Sequence, residues 1–211
     1  MKNVDLILLA FLFGVISCNS QEMKEKSSVA QDSVVVYDSM AIALNNKAMR
    51  VFFQSQENDS IQNVAKSYLA KAIQIDSSYY MGYANLATLL IKQGKRDSAI
   101  QVLQIIIDKK PYYAEGLSIQ GYIYDRLEKF DSADLKYRQA LEAYDQRIEA
   151  NEDNVNARVS RVFLIMLMQG KEVGFREVEA VLEKYPYDPF ALMMKNEIIP
   201  YFDREEFLSS Y

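Results

Sequence analysis

The feature that most constrains the fold is a self-similarity in which equivalent residues recur every 34 positions. Four columns of equivalent residues share this spacing: Ala65/Ala99/Ala133, Leu69/Leu103/Tyr137, Ala72/Ile106/Ala140 and Ile73/Ile107/Leu141. Within one repeat the first three columns are separated by steps of four and three residues, the spacing of one face of an α-helix. The pattern predicts repeated helical units, each of which buries an apolar face against its neighbours.

These units resemble the tetratricopeptide repeat, a helix–turn–helix of 34 residues. Tyr83 stands where that family has tryptophan, Gly94 marks the turn, and Pro111 closes the unit. The next unit repeats the small residue of the first helix as Gly121 (Ala87 in the unit before), which permits close helix packing. The resemblance implies an all-α, right-handed superhelical solenoid of about four helix–turn–helix repeats plus a C-terminal capping helix, together spanning residues 35–211.

The flanking units depart from the regular repeat. The helix that contains Ala140 keeps its apolar pattern to Ala150, so the next unit begins near Val155 and is displaced by seven residues. Gly170 then marks a turn and Gly174 occupies the small position of the second helix. We also expect caps for the second helices at Asp97 and Asp131, a last helix over residues 190–199, and a capping turn at 203–211 over the end of the stack.

The beginning of the sequence predicts a lipid anchor. An apolar run of eleven residues, Leu6 to Ile16, is too short to span a membrane and is typical of a signal peptide. The stretch from Val15 to Cys18 resembles the lipobox of bacterial lipoproteins, which implies a signal peptide at 1–17 and a lipidated Cys18 with a tether at 18–34. The resemblance implies an envelope location, and Asn19 after the cysteine favours the outer membrane. The alternative is an ordinary cleaved signal with a chance cysteine nearby.

Composition argues against several functional classes. The net charge of −5 disfavours nucleic acid as a partner. The chain has no histidine, and its one cysteine belongs to the predicted anchor, so the commonest general base, metal ligand and strong nucleophile are missing. The carboxylates fall mostly on predicted outer helix faces. We therefore expect no enzyme, no cofactor and no metal; an enzyme would need several carboxylates converging in a closed pocket.

The family resemblance implies where a partner would bind. In tetratricopeptide proteins the first helices of successive repeats line a concave groove for extended peptides or partner helices. Carried over to this chain, the groove residues are Met81, Asn85, Thr88, Lys92, Glu115, Ile119, Tyr122 and Arg126. Tyrosine and methionine suit recognition because they bury much area with little polar cost. Arg158 and Arg161 either bind an anionic partner or pair with Glu149, Glu152 or Asp153.

The predicted function is a non-catalytic, membrane-anchored scaffold that binds a protein or peptide segment in this groove. A narrower version is a subunit of an outer-membrane assembly or secretion machine, since such machines contain lipoproteins with these repeats. A different class is a binder of envelope glycan or another small ligand, with tyrosines as stacking surfaces. Exposed tyrosines that pair across a pocket would favour the glycan, whereas a continuous open groove would favour a peptide.

Overall fold

A computed structural model describes residues 36–54 and 58–209, which form two compact helical units, 36–111 and 112–209. The described part of the chain contains helices and connections but no β-strand. The predicted signal peptide, Cys18 and the tether lie outside the described residues. None of the helices that are described has the length and apolar character needed to cross a membrane.

The N-terminal unit consists of two consecutive helix pairs. Its helices are α1 (Ser39–Gln54), α2 (Asp59–Ile75), α3 (Tyr80–Lys92) and α4 (Arg96–Lys109). Each helix packs on the next, and α3 also packs on α1. Asn58 caps α2 by accepting hydrogen bonds from the amides of Ser60 and Ile61, and Gly94 (φ 70°) makes the turn into α4.

The C-terminal unit continues with two further pairs. They are α5 (Ala114–Arg126) with α6 (Phe130–Ala150), and α7 (Val155–Gln169) with α8 (Lys171–Lys184). Next comes α9 (Pro189–Met193), which runs on through a π-helical turn to Ile198 and a 3-10 turn at Ile199–Tyr201 that contains Pro200. The last described helix is α10 (Arg204–Ser209).

The spacing of helix starts confirms the predicted repeat. The first helices α3 and α5 begin 34 residues apart, at Tyr80 and Ala114, and so do the second helices α4 and α6. The prediction of four all-α, tetratricopeptide-like helix pairs is confirmed, as are the seven-residue displacement at Val155 and a helix that begins near 190, although one more short helix follows it. The right-handed sense of the superhelix stays a prediction.

The predicted columns form the core of the helix pairs. Three of the four are buried in every repeat: Ala65/Ala99/Ala133, Leu69/Leu103/Tyr137 and Ala72/Ile106/Ala140. Small residues between the helices are also necessary for this packing. A Cβ on Gly121 would lie 2.4 Å from Cδ1 of Tyr137, and one on Gly174 would lie 2.6 Å from Cβ of Met166. Glycine at these positions therefore sets the closeness of the helix pairs.

The predicted caps at Asp97 and Asp131 were wrong. The residues at the N-cap positions of α4 and α6 are Lys95 and Lys129, and neither cap makes a side-chain hydrogen bond to the helix. Asp97 and Asp131 lie two positions after these caps, inside the first turn. At that place a carboxylate still stabilises the helix through the positive end of the helix dipole.

Candidate functional site

The C-terminal unit contains a face on which α10 rests. This α10-binding face consists of Tyr122 and Asp125 on α5 together with Phe163 and Leu167 on α7. Both helices are first helices of their repeats, which is where the sequence predicted partner binding. The segment predicted to form a capping turn at 203–211 is thus a short helix over Arg204–Ser209, and it packs on α5 and α7.

Aromatic rings fix the apolar part of this contact. The ring of Phe207 lies 5.2 Å from that of Tyr122 and 5.8 Å from that of Phe163, measured between centroids. Phe202 approaches both Phe207 (6.0 Å) and Phe163 (6.2 Å). These separations are typical of offset and edge-to-face aromatic pairs. Phe207 is 1% exposed, so its ring is fully removed from water.

A carboxylate and a guanidinium fix the polar part. Nη2 of Arg204 donates a hydrogen bond to Oδ2 of Asp125, and Nε of Arg204 donates to the carbonyl oxygen of Leu167 at 3.1 Å. Tyr137 Oη also donates to Oδ2 of Asp125, at 3.3 Å. Burial raises the pKa of Tyr137 well above its usual value, and the nearby charge of Asp125 adds to this effect. Tyr137 is therefore held in its neutral, donating form.

The other oxygen of Asp125 is less well satisfied. Its Oδ1 is buried and accepts no hydrogen bond from the described residues. The side chain of Asp125 is 1% exposed, whereas that of Arg204 is 43% exposed. A buried carboxylate is costly unless it is paired, so Asp125 depends on Arg204 more than Arg204 depends on Asp125.

The predicted groove residues of the N-terminal unit are mostly occupied within that unit. Asn85 is buried and donates through Nδ2 to Oδ1 of Asn45 at 2.7 Å. Thr88 is buried and donates to the carbonyl oxygen of Ala84 at 3.0 Å. Met81 is half-buried against a cluster that includes Tyr79, and Lys92 is half-buried. Asn85 and Thr88 thus do not offer a free surface in this structure.

The predicted groove residues of the C-terminal unit are also largely enclosed. Glu115 is buried and accepts two hydrogen bonds from Arg147, at 2.5 and 3.1 Å. Ile119 and Tyr122 are completely buried. Arg126 is half-buried and donates to the hydroxyl of Tyr122 at 3.2 Å. Whether any of the eight predicted residues contacts a partner stays a prediction.

Arg204 and Phe207 were not among the residues selected from the sequence. The segment was assigned to a capping turn over the end of the stack, and its side chains were given no contacts. The available signal was a cation three residues before an aromatic residue, which places both on one face of a short helix. Which surface that face would meet is decided by tertiary packing, and the local sequence does not encode it.

A second concave region lies between α6, α7 and α8. This cleft of about 310 Å³ is lined by Asp145, Ile148, Arg158, Arg161, Val162, Glu177, Ala180, Val181, Lys184 and Tyr185. Arg161 donates to Asp145 at 2.6 Å and to Glu177 at 2.9 Å, so its charge is compensated. Arg158 donates twice to the carbonyl oxygen of Glu152. Both arginines are thus bound within the chain, but the carboxylates that pair with Arg161 are Asp145 and Glu177 and not the three predicted ones, and Arg158 is held by a backbone carbonyl.

Clusters of side chains that could bind a metal or act in catalysis are scarce in the part of the chain that the structure describes. Within it, no group of three or more histidine, cysteine, aspartate or glutamate side chains is placed to hold a metal ion. The carboxylates near the cleft are compensated by Arg161, and Asp125 is covered by α10. The arrangement at the α10-binding face is suited to recognition of a helix by apolar contact and one ion pair.

Comparison with solved structures gives distant likenesses. A tetratricopeptide repeat protein from Parabacteroides merdae is similar at 19% identity and a TM-score of 0.47, over 74% of this chain and 56% of that one. The MamA RS-1 ArsTM double mutant is similar at 13% identity and a TM-score of 0.36, over 72% of this chain and 100% of that one. No protein-family model and no curated protein matches the sequence. The fold and the candidate site rest on the chain's own geometry.

Proposed function

We propose that this protein is a lipid-anchored, non-catalytic interaction module of a bacterial envelope, with the outer membrane favoured. It binds a protein segment on the inner faces of its repeats, formed by their first helices. The observation that carries the proposal is the α10-binding face, where two first helices hold a short helix by aromatic contacts and one ion pair. Recognition of an amphipathic helix by an apolar groove is a common mode of peptide binding.

A peptide explains the placement of the aromatic residues better than a glycan does. Rings of Tyr122, Phe163 and Phe207 pack against each other in the interior, so they are not stacking surfaces open to a sugar. The cleft beside α8 contains a single aromatic side chain, Tyr185, among its lining residues. A pair of tyrosines facing each other across a pocket, which would favour the glycan, is therefore not found in this cleft.

The anchor is tested by replacing the predicted lipid attachment residue. Cys18 lies after an apolar run, and a thiolate is the nucleophile that such an attachment needs. We expect Cys18→Ala to move the protein from the membrane fraction to the soluble fraction of the native host. Ser17→Ala is the matched control and should leave the protein with the membrane. Retention of Cys18→Ala in the membrane fraction contradicts the lipid anchor.

Partner binding is tested by crosslinking in the native envelope, followed by affinity purification. Met81→Ala and Arg126→Ala alter two half-buried members of the predicted groove, one in each unit. Tyr187→Ala is the control because that tyrosine is 89% exposed and was not selected for the groove. We expect both groove variants to recover less of the partner than the wild type and the control do. Equal recovery from all four proteins contradicts binding in the groove.

A further inference from the structure

The α10-binding face is already filled by a segment of the same chain. We propose that α10 is an internal occupant of the partner site, and that the partner supplies a helical segment with an arginine three residues before a phenylalanine, which takes its place. This inference rests on the proposed function and specifies both the partner's chemistry and the regulation of its binding. Free access to the site then depends on the release of α10.

The attachment of α10 depends on few residues. The helix has six residues, too few to be stable without tertiary contacts. Phe207 is its one fully buried side chain, whereas residues 203–206 and Ser209 are exposed. Phe202 and Asp203 precede it in a non-helical connection. A short element with so few buried contacts belongs to the part of a protein that opens at the lowest free energy.

Release of α10 leaves a surface on which apolar rings and a carboxylate have lost their contacts. The rings of Tyr122 and Phe163 lose their contact with Phe207 and become accessible to water. Asp125 loses the hydrogen bond from Arg204 and retains the one from Tyr137, while its Oδ1 has no donor among the described residues. An exposed aromatic patch beside an under-satisfied carboxylate favours binding of a segment that restores both contacts.

The contacts of α10 define the chemistry of that segment. An arginine is required because one guanidinium donates to Asp125 and to the carbonyl of Leu167 at the same time, which a lysine ammonium does with less geometric precision. A phenylalanine one turn later reaches the rings on α5 and α7. Residues three apart lie on one face of a helix, so the motif is Arg-x-x-Phe in helical conformation.

Competition within one chain sets the affinity that a partner displays. A tethered segment acts at an effective concentration on the order of millimolar, so α10 lowers the apparent affinity of any segment that needs the same face. Variants that weaken α10 should raise that apparent affinity, because the binding-competent fraction increases. The wild type should bind weakly, and a loosened variant should bind more tightly.

The test uses the full chain and a labelled synthetic peptide with the sequence of residues 199–209. Arg204→Ala in the chain removes a half-exposed anchor, and Glu205→Ala, on an exposed position of the same helix, is the matched control. We expect fluorescence anisotropy to give a Kd at least about tenfold lower for Arg204→Ala than for the wild type and for Glu205→Ala. A peptide in which alanine replaces the residue equivalent to Arg204 or the one equivalent to Phe207 should bind at least about tenfold more weakly.

Hydrogen exchange on the wild-type chain provides a measurement independent of the variants. Saturating peptide should accelerate exchange of the amides of α10, because the two helices compete for one face. Unchanged exchange in α10, equal affinity of Arg204→Ala and wild type, or equal binding of the alanine-substituted peptides would each overturn the inference.

The inference and the proposed function fail in different ways. In the envelope capture experiment, Arg204→Ala should increase the yield of the partner, whereas Arg126→Ala should lower it. If the yield of the partner falls for Arg126→Ala and does not change for Arg204→Ala, binding in the groove is supported and the role of α10 is overturned. Conversely, the peptide could displace α10 while no variant changes the recovery of envelope partners. That result would support the exchange of α10 for a peptide and would overturn the proposed envelope function.

Discussion

At the residue scale, the pairing of Gly121 with Tyr137 shows how a large residue is accommodated in a repeat. The preceding unit has Ala87 and Leu103 at the equivalent positions, so the bulkier residue on one helix coincides with a smaller residue on the other. A Cβ at 121 would collide with the ring of Tyr137 at 2.4 and 2.5 Å. The ring is buried and held by its hydrogen bond to Asp125, and it has little freedom to move away.

We therefore expect Gly121→Ala to destabilise the protein by about 1–3 kcal/mol, the usual cost of overpacking a core. The double variant Gly121→Ala/Tyr137→Leu restores the pair found at 87 and 103 and should lose less stability than the sum of the single changes. Urea unfolding followed by circular dichroism measures each free energy. Gly82→Ala is the control, since its added Cβ meets Ile73 Cγ1 at a milder 3.2 Å. Additive losses would contradict the steric account.

Small residues at the helix contacts were predictable from the sequence because a close approach demands them at a fixed spacing. The caps were not predictable in the same way. Aspartate, the residue at 97 and 131, is a favoured N-cap type. The turn geometry after Gly94 and Glu128 (φ 57°) nevertheless places a lysine at the N-cap position of each helix. A shift of two residues changes a cap into a first-turn charge, and the geometry of the turn decides that shift.

At the element scale, the added length of α6 has a structural role. The two extra turns bring Arg147 against Glu115 on α5 and bury Tyr144. The carboxylate of Glu115 receives both hydrogen bonds of a bidentate pair, and its side chain is 9% exposed. Glu115, one of the predicted groove residues, thus takes part in a helix–helix ion pair, and its contact with a partner stays a prediction.

Removal of one partner from this pair should be strongly destabilising. We expect Arg147→Ala to lower the free energy of unfolding by on the order of 3 kcal/mol, because Glu115 would remain charged and largely buried. Arg138→Ala on the same helix breaks an exposed pair with Asp134 and should cost less than about 1 kcal/mol. Chemical denaturation compares the two variants directly. Equal, small losses would show that the Glu115 pair contributes no more than a surface pair.

The helices themselves were largely predictable, since their apolar residues recur with helical periodicity and Gly94, Gly170 and Pro189 mark their ends. The candidate site was less accessible to prediction. Five of the eight residues predicted for an open groove are buried: Asn85, Thr88, Glu115, Ile119 and Tyr122. Periodicity identifies the face of a helix, but the packing of other helices, such as α1 on Asn85 and α10 on Tyr122, decides whether that face is accessible.

At the scale of the whole molecule, the absence of histidine and the buried tyrosines shape the response to pH. Burial raises the pKa of Tyr144, with a further contribution from the charge of Glu115, and burial likewise raises the pKa of Tyr137. A tyrosine in the unfolded chain ionises near pH 10. Above that pH the unfolded state loses protons that the folded state keeps, so unfolding becomes more favourable.

We therefore expect the stabilising contribution of these tyrosines to be fully present below about pH 10 and to decline as the pH rises further, by up to about 1.4 kcal/mol per pH unit for each. Urea unfolding between pH 8 and about pH 11 measures the slope. Tyr144→Phe should reduce the slope, whereas Tyr112→Phe, at an exposed position, should not. An identical slope in all three proteins would contradict control by buried tyrosines.

The seven-residue displacement before α7 has a consequence for how such a chain can change in length. Seven residues advance an α-helix by about 700°, within about 20° of two full turns. Added inside α6, they lengthen the helix without rotating its apolar stripe, and the 34-residue register resumes between Val155 and Pro189. A heptad is therefore a unit by which this architecture can gain or lose length while every buried side chain keeps its orientation. Insertions of five or six residues would turn the stripe toward solvent.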